Sequence, residues 1–230
     1  MSSPAVLKAN LESALGSRFA ASLTFRPRPV LEFVSTGIPE VDSLAGGLPR
    51  GAITEIFGPP SSGRTSLLVS MVAAATARQE ACTLVDASDT FDPGSARAAG
   101  VALERLLWIR CDGNPEHALK AADLIIQGGG FGLVTLDLGD IPPRIAGCIP
   151  LSSWYRFQRA IENTPTALVV LEQAPWAKSC ATLILETKQE GVAWSGAPGC
   201  SRLLRGVRLG VMPRKPARSA HAAFEAKALG

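Results

Sequence analysis

Residues 58–66 read Gly58-Pro59-Pro60-Ser61-Ser62-Gly63-Arg64-Thr65-Ser66. They follow an apolar stretch at 52–57 that is typical of a buried strand, and they precede a stretch with helical spacing that ends near residue 78. The motif G-x-x-x-x-G-K-[ST] binds phosphate in this context, because the backbone N–H groups of the loop and the helix N-terminus face the anion. The sequence therefore predicts a phosphate-binding loop, with the Thr65 hydroxyl placed to ligate Mg²⁺.

Arg64 departs from that motif, which has lysine at this position. A planar guanidinium on a longer stem does not simply replace a compact ammonium between the β- and γ-phosphates. Three readings follow from this residue alone: a loop that still binds nucleotide, a loop that also turns nucleotide over, and a loop kept only because its turn supports the fold.

Apolar stretches of strand and helix type alternate from residue 52 onward, which predicts an α/β fold with a mainly parallel central sheet flanked by helices. Strands are predicted at 52–57, 82–86, 106–109, 133–137 and 167–172, and helices at 64–78, 94–100, 115–127 and 152–162. Short stretches near 181–187, 191–195 and 202–209 follow closely on one another, which predicts antiparallel strands at the C-terminal edge of the sheet.

Two polar residues stand at the ends of predicted strands. Asp137 ends the strand at 133–137, as the Mg²⁺-orienting acid of an ATPase does, although aspartate in this place also caps turns. Gln173 follows the strand at 167–172. Because the carboxyl ends of parallel strands meet at one crevice, both side chains are expected to face the ligand of the loop. The predicted cofactor is ATP with Mg²⁺, bound by residues 58–66, Asp137 and Gln173, with Thr65 and Asp137 at the metal.

The charge of the chain is unevenly distributed. The net charge is +3, but residues 1–50 carry +1, residues 51–200 carry −4 and residues 201–230 carry +6. A cationic terminal segment favours an anionic partner, either DNA or an acidic protein surface, and a solvated terminus is the other reading. The predicted organisation is an N-terminal helix and Pro/Arg linker at 1–34, a core at 35–210 and a basic tail at 211–230. The helix, at 4–16, would either pack on a second copy in a homo-oligomer or fold back on its own core.

Composition excludes several classes of protein. Aromatic residues make up only 6%, so no aromatic platform for stacking bases is indicated. The five cysteines show no CxxC and no spacing to histidine that would suggest a metal site. No signal peptide and no apolar run of about 18 residues is evident, so the expectation is a cytoplasmic protein with reduced thiols and no membrane contact.

The stretch from Ser35 to Gln173 resembles the RecA/RadA recombinase family, over ~140 of the 230 residues. Its first motifs are Ser35-Thr36-Gly37, Gly46-Gly47-Leu48-Pro49-Arg50-Gly51 and Glu55-Ile56-Phe57-Gly58-Pro59. The next strand and helix of the family resemble Val85-Asp86-Ala87-Ser88-Asp89-Thr90-Phe91-Asp92-Pro93, Gly100-Val101 and Leu106-Leu107. The resemblance implies a RecA-like P-loop core with an ATP site.

Departures from the family concern its catalytic and DNA-binding parts. The family places its catalytic glutamate where this chain has Ser88, so the water-activating carboxylate is lost unless Asp86 or Asp89 substitutes, and Asp89 is the candidate base. Gln173 matches the family glutamine that senses the γ-phosphate. Only residues 174–180 separate it from the next strand, where recombinases carry a long Gly-rich DNA-binding loop. The basic segment stands where recombinases have a large C-terminal domain.

A short RecA-like chain with a weakened ATP site resembles the ImuA group, bacterial accessory factors of damage-induced mutagenesis. The resemblance implies an SOS-response function in translesion synthesis, with partners that include an inactive Y-family polymerase homologue, an error-prone replicative polymerase and RecA. The expected function is a DNA-repair accessory protein that binds nucleotide at most, with DNA contacted through the basic tail. The alternatives are a minimal ATP-dependent DNA recombinase or recombination mediator, and an interaction protein that binds no nucleotide.

Overall fold

The structure is a computed structural model that describes residues 31–196, 202–217 and 220–227. The helix predicted at 4–16 and the linker after it lie outside the described residues. The described residues belong to one compact unit that begins at Leu31. None of its helices is long and apolar enough to cross a membrane.

Ten strands are found in the described residues. They are β1 (Phe33–Val34), β2 (Leu48–Pro49), β3 (Ala52–Phe57), β4 (Cys82–Asp86), β5 (Leu106–Arg110), β6 (Leu133–Asp137), β7 (Ala167–Glu172), β8 (Ala181–Ser195), β9 (Leu203–Lys215) and β10 (Ala222–Lys227). The first two form a small antiparallel ladder, and the other eight form one sheet in the order β10-β9-β8-β3-β7-β6-β4-β5. Strands β3 to β8 pair in parallel, whereas β9 and β10 are antiparallel additions at one edge. The predicted fold class, a mainly parallel sheet with antiparallel C-terminal edge strands, is confirmed.

Helices cover both faces of the sheet. They are α1 (Pro39–Ala45), α2 (Arg64–Ala77), α3 (Pro93–Ala98), α4 (Pro115–Gly128), α5 (Pro143–Ala146) and α6 (Leu151–Ile161). Two 3-10 turns, Leu103–Arg105 and Lys178–Cys180, complete the described elements. The segment between β6 and α6 contains α5, a single turn that begins at a proline.

The core lies in two layers, one on each face of the sheet. On one face, α2 buries Leu67, Leu68 and Met71. On the other face, α6 buries Trp154 and Phe157, whose rings meet edge to face with centroids 6.0 Å apart. The central strands are apolar along nearly their whole length because both of their faces are covered. This double burial is why their sequence pattern is continuous rather than alternating.

The C-terminal strands are longer than the sequence suggests. Strand β8 runs through both short stretches predicted at 181–187 and 191–195, because a bulge between Gln189 and Gly191 takes up one extra residue without ending the ladder. Strand β9 crosses the boundary expected at residue 210, and β10 lies inside the segment expected to be a tail. The described residues of 211–230 therefore belong mainly to the sheet. Their many basic side chains suggest a solvated segment, although Val211 among them is fully buried.

Removing residues 211–230 is expected to abolish cooperative unfolding, because the cut takes away the last five of the thirteen residues of β9, all of β10 and the buried side chains of Val211 and Ala222. Thermal unfolding followed by circular dichroism measures this. The control is Arg214→Ala, which removes only a partly exposed ion pair with Glu186 and should change stability by less than about 1 kcal/mol. A truncated chain that unfolds cooperatively at the wild-type midpoint would contradict the assignment of these residues to the sheet.

Candidate functional site

Residues 58–66 connect β3 to α2 at the carboxyl end of β3, which lies between β7 and β8. The backbone has positive φ at Ser61 (+62°) and Gly63 (+95°), and this curvature turns the chain back toward the start of α2. The first N–H groups of α2 have no acceptor within the helix. A cavity of about 420 Å³ lies against them, lined by Pro60, Ser61, Ser62, Gly63, Arg64, Thr65, Ser66, Asp137, Gly139, Asp140, Val207, Leu209 and Ala226.

The edge strands hold the loop from the side. Ser62 Oγ lies 2.8 Å from Thr187 Oγ1 of β8, and both residues are buried. A methyl group on Gly63 would collide with the side chain of Leu209 of β9. Nothing in the local sequence around Thr187 or Leu209 pointed to the loop, since the contacts span more than a hundred residues. Strands β8 and β9 are therefore part of the site.

Arg64 does not point freely into the cavity. Its Nη1 donates a hydrogen bond of 2.9 Å to the carbonyl oxygen of Gly139, and the residue is only 8% exposed. Gln173 Nε2 donates to the same oxygen at 3.0 Å, and the N–H of Gly139 donates to Asp137 Oδ1 at 2.8 Å. The backbone of one residue, Gly139, thus joins the phosphate loop to the ends of β6 and β7. The structure brings Arg64, Asp137 and Gln173 together at the backbone of Gly139.

Asp137 and Thr65 line the same cavity. A carboxylate and a hydroxyl are oxygen ligands of the kind that Mg²⁺ prefers, so the donor set fits the predicted metal. Burial, helped by the charges of Asp86 and Asp140, raises the pKa of Asp137 to about 6, against the hydrogen bond from the Gly139 N–H and the charge of Arg64. A cation bound here would favour the ionised carboxylate.

The other two carboxylates considered for catalysis are engaged elsewhere. Asp86 is buried and accepts hydrogen bonds from the N–H groups of Phe91 and Thr90 and from Nε1 of Trp108. Asp89, the candidate base, accepts from Arg110 Nη2 at 3.2 Å and from the N–H of Cys111 at 3.1 Å. Neither residue is among those that line the cavity, nor is Ser88.

A second concave surface adjoins the first. A groove of about 610 Å³ runs along the exposed face of α2 and shares Thr65, Ser66 and Ala226 with the cavity. Its other lining residues are small, namely Gly37, Val69, Ser70, Ala73, Ala74, Ala77, Ser95, Ala99 and Gly100. The two surfaces together offer an anion cradle next to a mostly apolar groove, and this combination suits a phosphorylated ligand with a planar apolar part.

A pair of buried glutamates below this site escaped the sequence analysis. Glu55 of β3 and Glu172 of β7 are both 0% exposed. Glu55 Oε1 accepts the N–H groups of Trp176 (2.5 Å) and Ala177 (2.8 Å), and Glu172 Oε2 accepts the former at 3.2 Å. Burial and the neighbouring Glu55 charge hold the pKa of Glu172 well above its usual range. A glutamate within each of two otherwise apolar strands was the available signal.

Replacing Glu172 with glutamine is expected to remove a pH-dependent loss of stability. Because the folded protein raises the pKa of Glu172, its neutral form contributes stability that is complete below the ordinary glutamate value and is lost as pH rises through the folded value. E172Q stays neutral, so its free energy of unfolding should exceed that of the wild type increasingly as pH rises. Urea titrations at a series of pH values measure this, with exposed Glu162→Gln as control. If the free energies of unfolding of E172Q and wild type changed with pH in parallel, ionisation of Glu172 would not destabilise the folded protein, and the prediction would be wrong.

The sequence of the chain is similar to those of known proteins. The family model described as the RecA N-terminal domain matches residues 6–144. Protein RecA of Rickettsia massiliae is 37% identical over 131 residues, which are 56% of this chain and 38% of that protein. Protein RecA of Rickettsia prowazekii is 35% identical over the same length. Protein RecA of Deinococcus radiodurans is 31% identical over 179 residues, which are 71% of this chain and 49% of that protein.

The strand–loop–helix cradle on a parallel sheet defines a phosphate-loop α/β protein. Within that class, the chain belongs to the RecA family, since the family model matches more than half of its length. It spans half or less of the length of the curated relatives named above.

Proposed function

We propose that this protein is a RecA-like accessory factor of DNA repair that supports damage-induced translesion synthesis in the SOS response. It acts in the cytoplasm and binds ATP with Mg²⁺ without turning it over. The proposal that ATP is bound but not turned over rests on the hydrogen bond from Arg64 to the Gly139 carbonyl. The arginine at the motif's lysine position is committed to the protein, and it is not free to follow the charge of a transferring phosphoryl group.

Nucleotide binding is supported by the remaining parts of the site. The loop N–H groups would hold the phosphates, Thr65 and Asp137 would hold Mg²⁺, and the small-residue groove along α2 would receive the base. The bound metal would supply charge to the phosphates. Gln173, which the resemblance makes the γ-phosphate sensor, stays within reach of the site through its bond to Gly139.

Lack of turnover is supported by the missing base. Ser88 stands where the resemblance expects a catalytic glutamate, and Asp86 and Asp89 are occupied by hydrogen bonds within their own region of the fold. A general base must reach the proton that it removes, and neither carboxylate lines the cavity. Two separate parts of an ATPase would therefore have to be restored together.

Restoring both parts should give activity where restoring one does not. Wild type and Arg64→Lys are expected to bind ATP with Mg²⁺ and to hydrolyse it negligibly, with R64K binding more tightly because its ammonium can reach the phosphates. The double variant Arg64→Lys with Ser88→Glu is expected to gain turnover, because a glutamate at position 88 is longer than the serine and is expected to reach the cavity that Ser88 itself does not line. Calorimetry gives the affinity and phosphate release gives the rate.

Adding Asp137→Ala to the double variant is the matched control, and it should remove the gained activity. Robust turnover by the wild type that depends on Asp137 would contradict the proposed inactivity. Absence of any nucleotide binding in wild type and R64K would favour an interaction protein without a nucleotide site.

The mutagenesis role and its partners rest on the resemblance to the ImuA group. The expected partners are an inactive Y-family polymerase homologue, an error-prone replicative polymerase and RecA. The segment 174–180, where recombinases grip single-stranded DNA, is short, and the N–H groups of Trp176 and Ala177 within it bind the buried carboxylates of Glu55 and Glu172. DNA contact would instead use exposed basic side chains and would weaken steeply with salt.

A minimal ATP-dependent recombinase or mediator is the second candidate, favoured by Gln173 at the site and by the named relatives, each a Protein RecA. Deleting the gene in its host separates the two. The accessory role predicts that damage-induced mutation frequency falls while homologous recombination frequency stays unchanged, and that the wild-type gene restores the mutations. A fall in recombination frequency with unchanged mutagenesis would support the recombinase instead.

A further inference from the structure

Strands β8 and β9 extend beyond the rest of the sheet. Strand β8 pairs with β3 only as far as Glu186, because β3 ends at Phe57 and the chain turns into the phosphate loop. Beyond that point β8 continues to Ser195, paired with β9 alone. We call residues 188–196 and 202–208 the hairpin arm. The large apolar side chains of its outer half, Trp194, Leu203 and Leu204, are exposed, so the core does not explain them.

One face of the hairpin arm is apolar and open. Val192 pairs with Val207, and Trp194 pairs with Leu204, so these four side chains share a face. Val192 is 39% exposed, Trp194 52% and Leu204 39%. Three neighbouring large apolar side chains exposed on a strand pair form a patch of the kind that marks an interaction site, and tryptophan is the residue most often found at the centre of one.

The outer edge of β8 is also open. From Lys188 to Ser195, no described strand pairs with the side of β8 that faces away from β9. The N–H and C=O groups along that side are a template for another extended chain. Proteins usually blunt such an edge with proline, charges or bulges. In this stretch of β8 the two charges, Lys188 and Glu190, and the bulge before Gly191 lie at the inner end, and residues 192–195 contain neither proline nor a charged residue.

The hairpin arm is basic. It carries four basic residues and one acid, a net charge of +3. Its acid, Glu190, is already matched, with His221 Nε2 at 2.6 Å and Arg208 Nε at 3.8 Å. Arg202 and Arg205 lie at the outer end, both exposed, with no acidic side chain on the described residues of that end.

We propose that the hairpin arm binds an extended acidic peptide segment of a partner protein. The segment adds to the free edge of β8 through main-chain hydrogen bonds, its apolar side chains pack on Val192, Trp194 and Leu204, and its carboxylates meet Arg202 and Arg205. The proposal stands on the arm alone and does not depend on whether the phosphate loop binds nucleotide.

Two other occupants fit less well. A second copy of the arm would bring +3 against +3, and like charges across an interface oppose association. Single-stranded nucleic acid would satisfy the charge, but it binds by stacking bases on aromatic rings, and three of the four exposed apolar side chains of the arm (Val192, Leu203 and Leu204) are aliphatic. An open strand edge offers main-chain groups that suit a peptide and that nucleic acid does not need.

The test uses the full chain and a fluorescein-labelled synthetic peptide in which aspartate alternates with valine and leucine. Anisotropy should show binding by the wild type, at least about tenfold weaker binding by Trp194→Ala, and weaker binding by Arg205→Glu. Leu124→Ala and Arg97→Glu, exposed residues outside the arm, are matched controls that should bind as the wild type does. Hydrogen exchange should show new protection of amides between residues 188 and 195.

Three results would overturn the proposal. One is equal binding of a peptide with lysine in place of aspartate, because the charge argument then fails. Another is binding that survives Trp194→Ala or leaves the amides of β8 unprotected, because the face or the edge is then not used. The third is Trp194-dependent binding of a labelled oligo-dT with no binding of the acidic peptide, which would make the arm a nucleic-acid surface.

Discussion

The backbone of Gly139 is the point at which the site is assembled. Arg64 and Gln173 donate to its carbonyl, and its N–H donates to Asp137, so the phosphate loop, β6 and β7 are all joined to one residue. A hydrogen bond to a charged donor contributes about 1.5–3 kcal/mol. A phosphate that needs the guanidinium must replace that bond, which would weaken binding by a factor of about 10–150. The same bond that organises the site therefore limits what the site can do with a nucleotide.

The phosphate loop depends equally on the edge of the sheet. Ser62 is bonded to Thr187 of β8, and Leu209 of β9 fills the space beside Gly63. The residues that follow Thr187 extend beyond the end of β3, stay paired with β9 and form one strand of the hairpin arm. Strand β8 thus contacts the phosphate loop through its middle residue Thr187, and the far end of the same strand presents an open surface. The C-terminal strands cannot be regarded as an appendage, because the loop would lose one wall without them.

The central strands could be predicted from sequence and the edge strands could not, for one physical reason. Residues 133–137 and 167–172 are buried on both faces, so their composition is mainly apolar and their bounds are visible. Strands β9 and β10 are exposed at many positions, and the arginines and lysines along them suggested a solvated tail. The loop at 58–66 was visible as a motif, but the partner of Arg64 lies 75 residues away along the chain and has no local signal. The glutamate pair was hidden because the two carboxylates become neighbours only when β3 and β7 pair.

The buried pair Glu55 and Glu172 also determines how easily the segment between β7 and β8 can open. A loop that grips and releases a strand must open at low cost, which requires few buried contacts. Here the N–H groups of Trp176 and Ala177 end on the buried carboxylate of Glu55, and Ala177 itself is fully buried. Opening the segment would leave carboxylates in the interior without their donors, a cost of about 1–3 kcal/mol for each lost bond. The segment is therefore built to stay closed, and binding of any macromolecular partner must rely on surfaces that are already open.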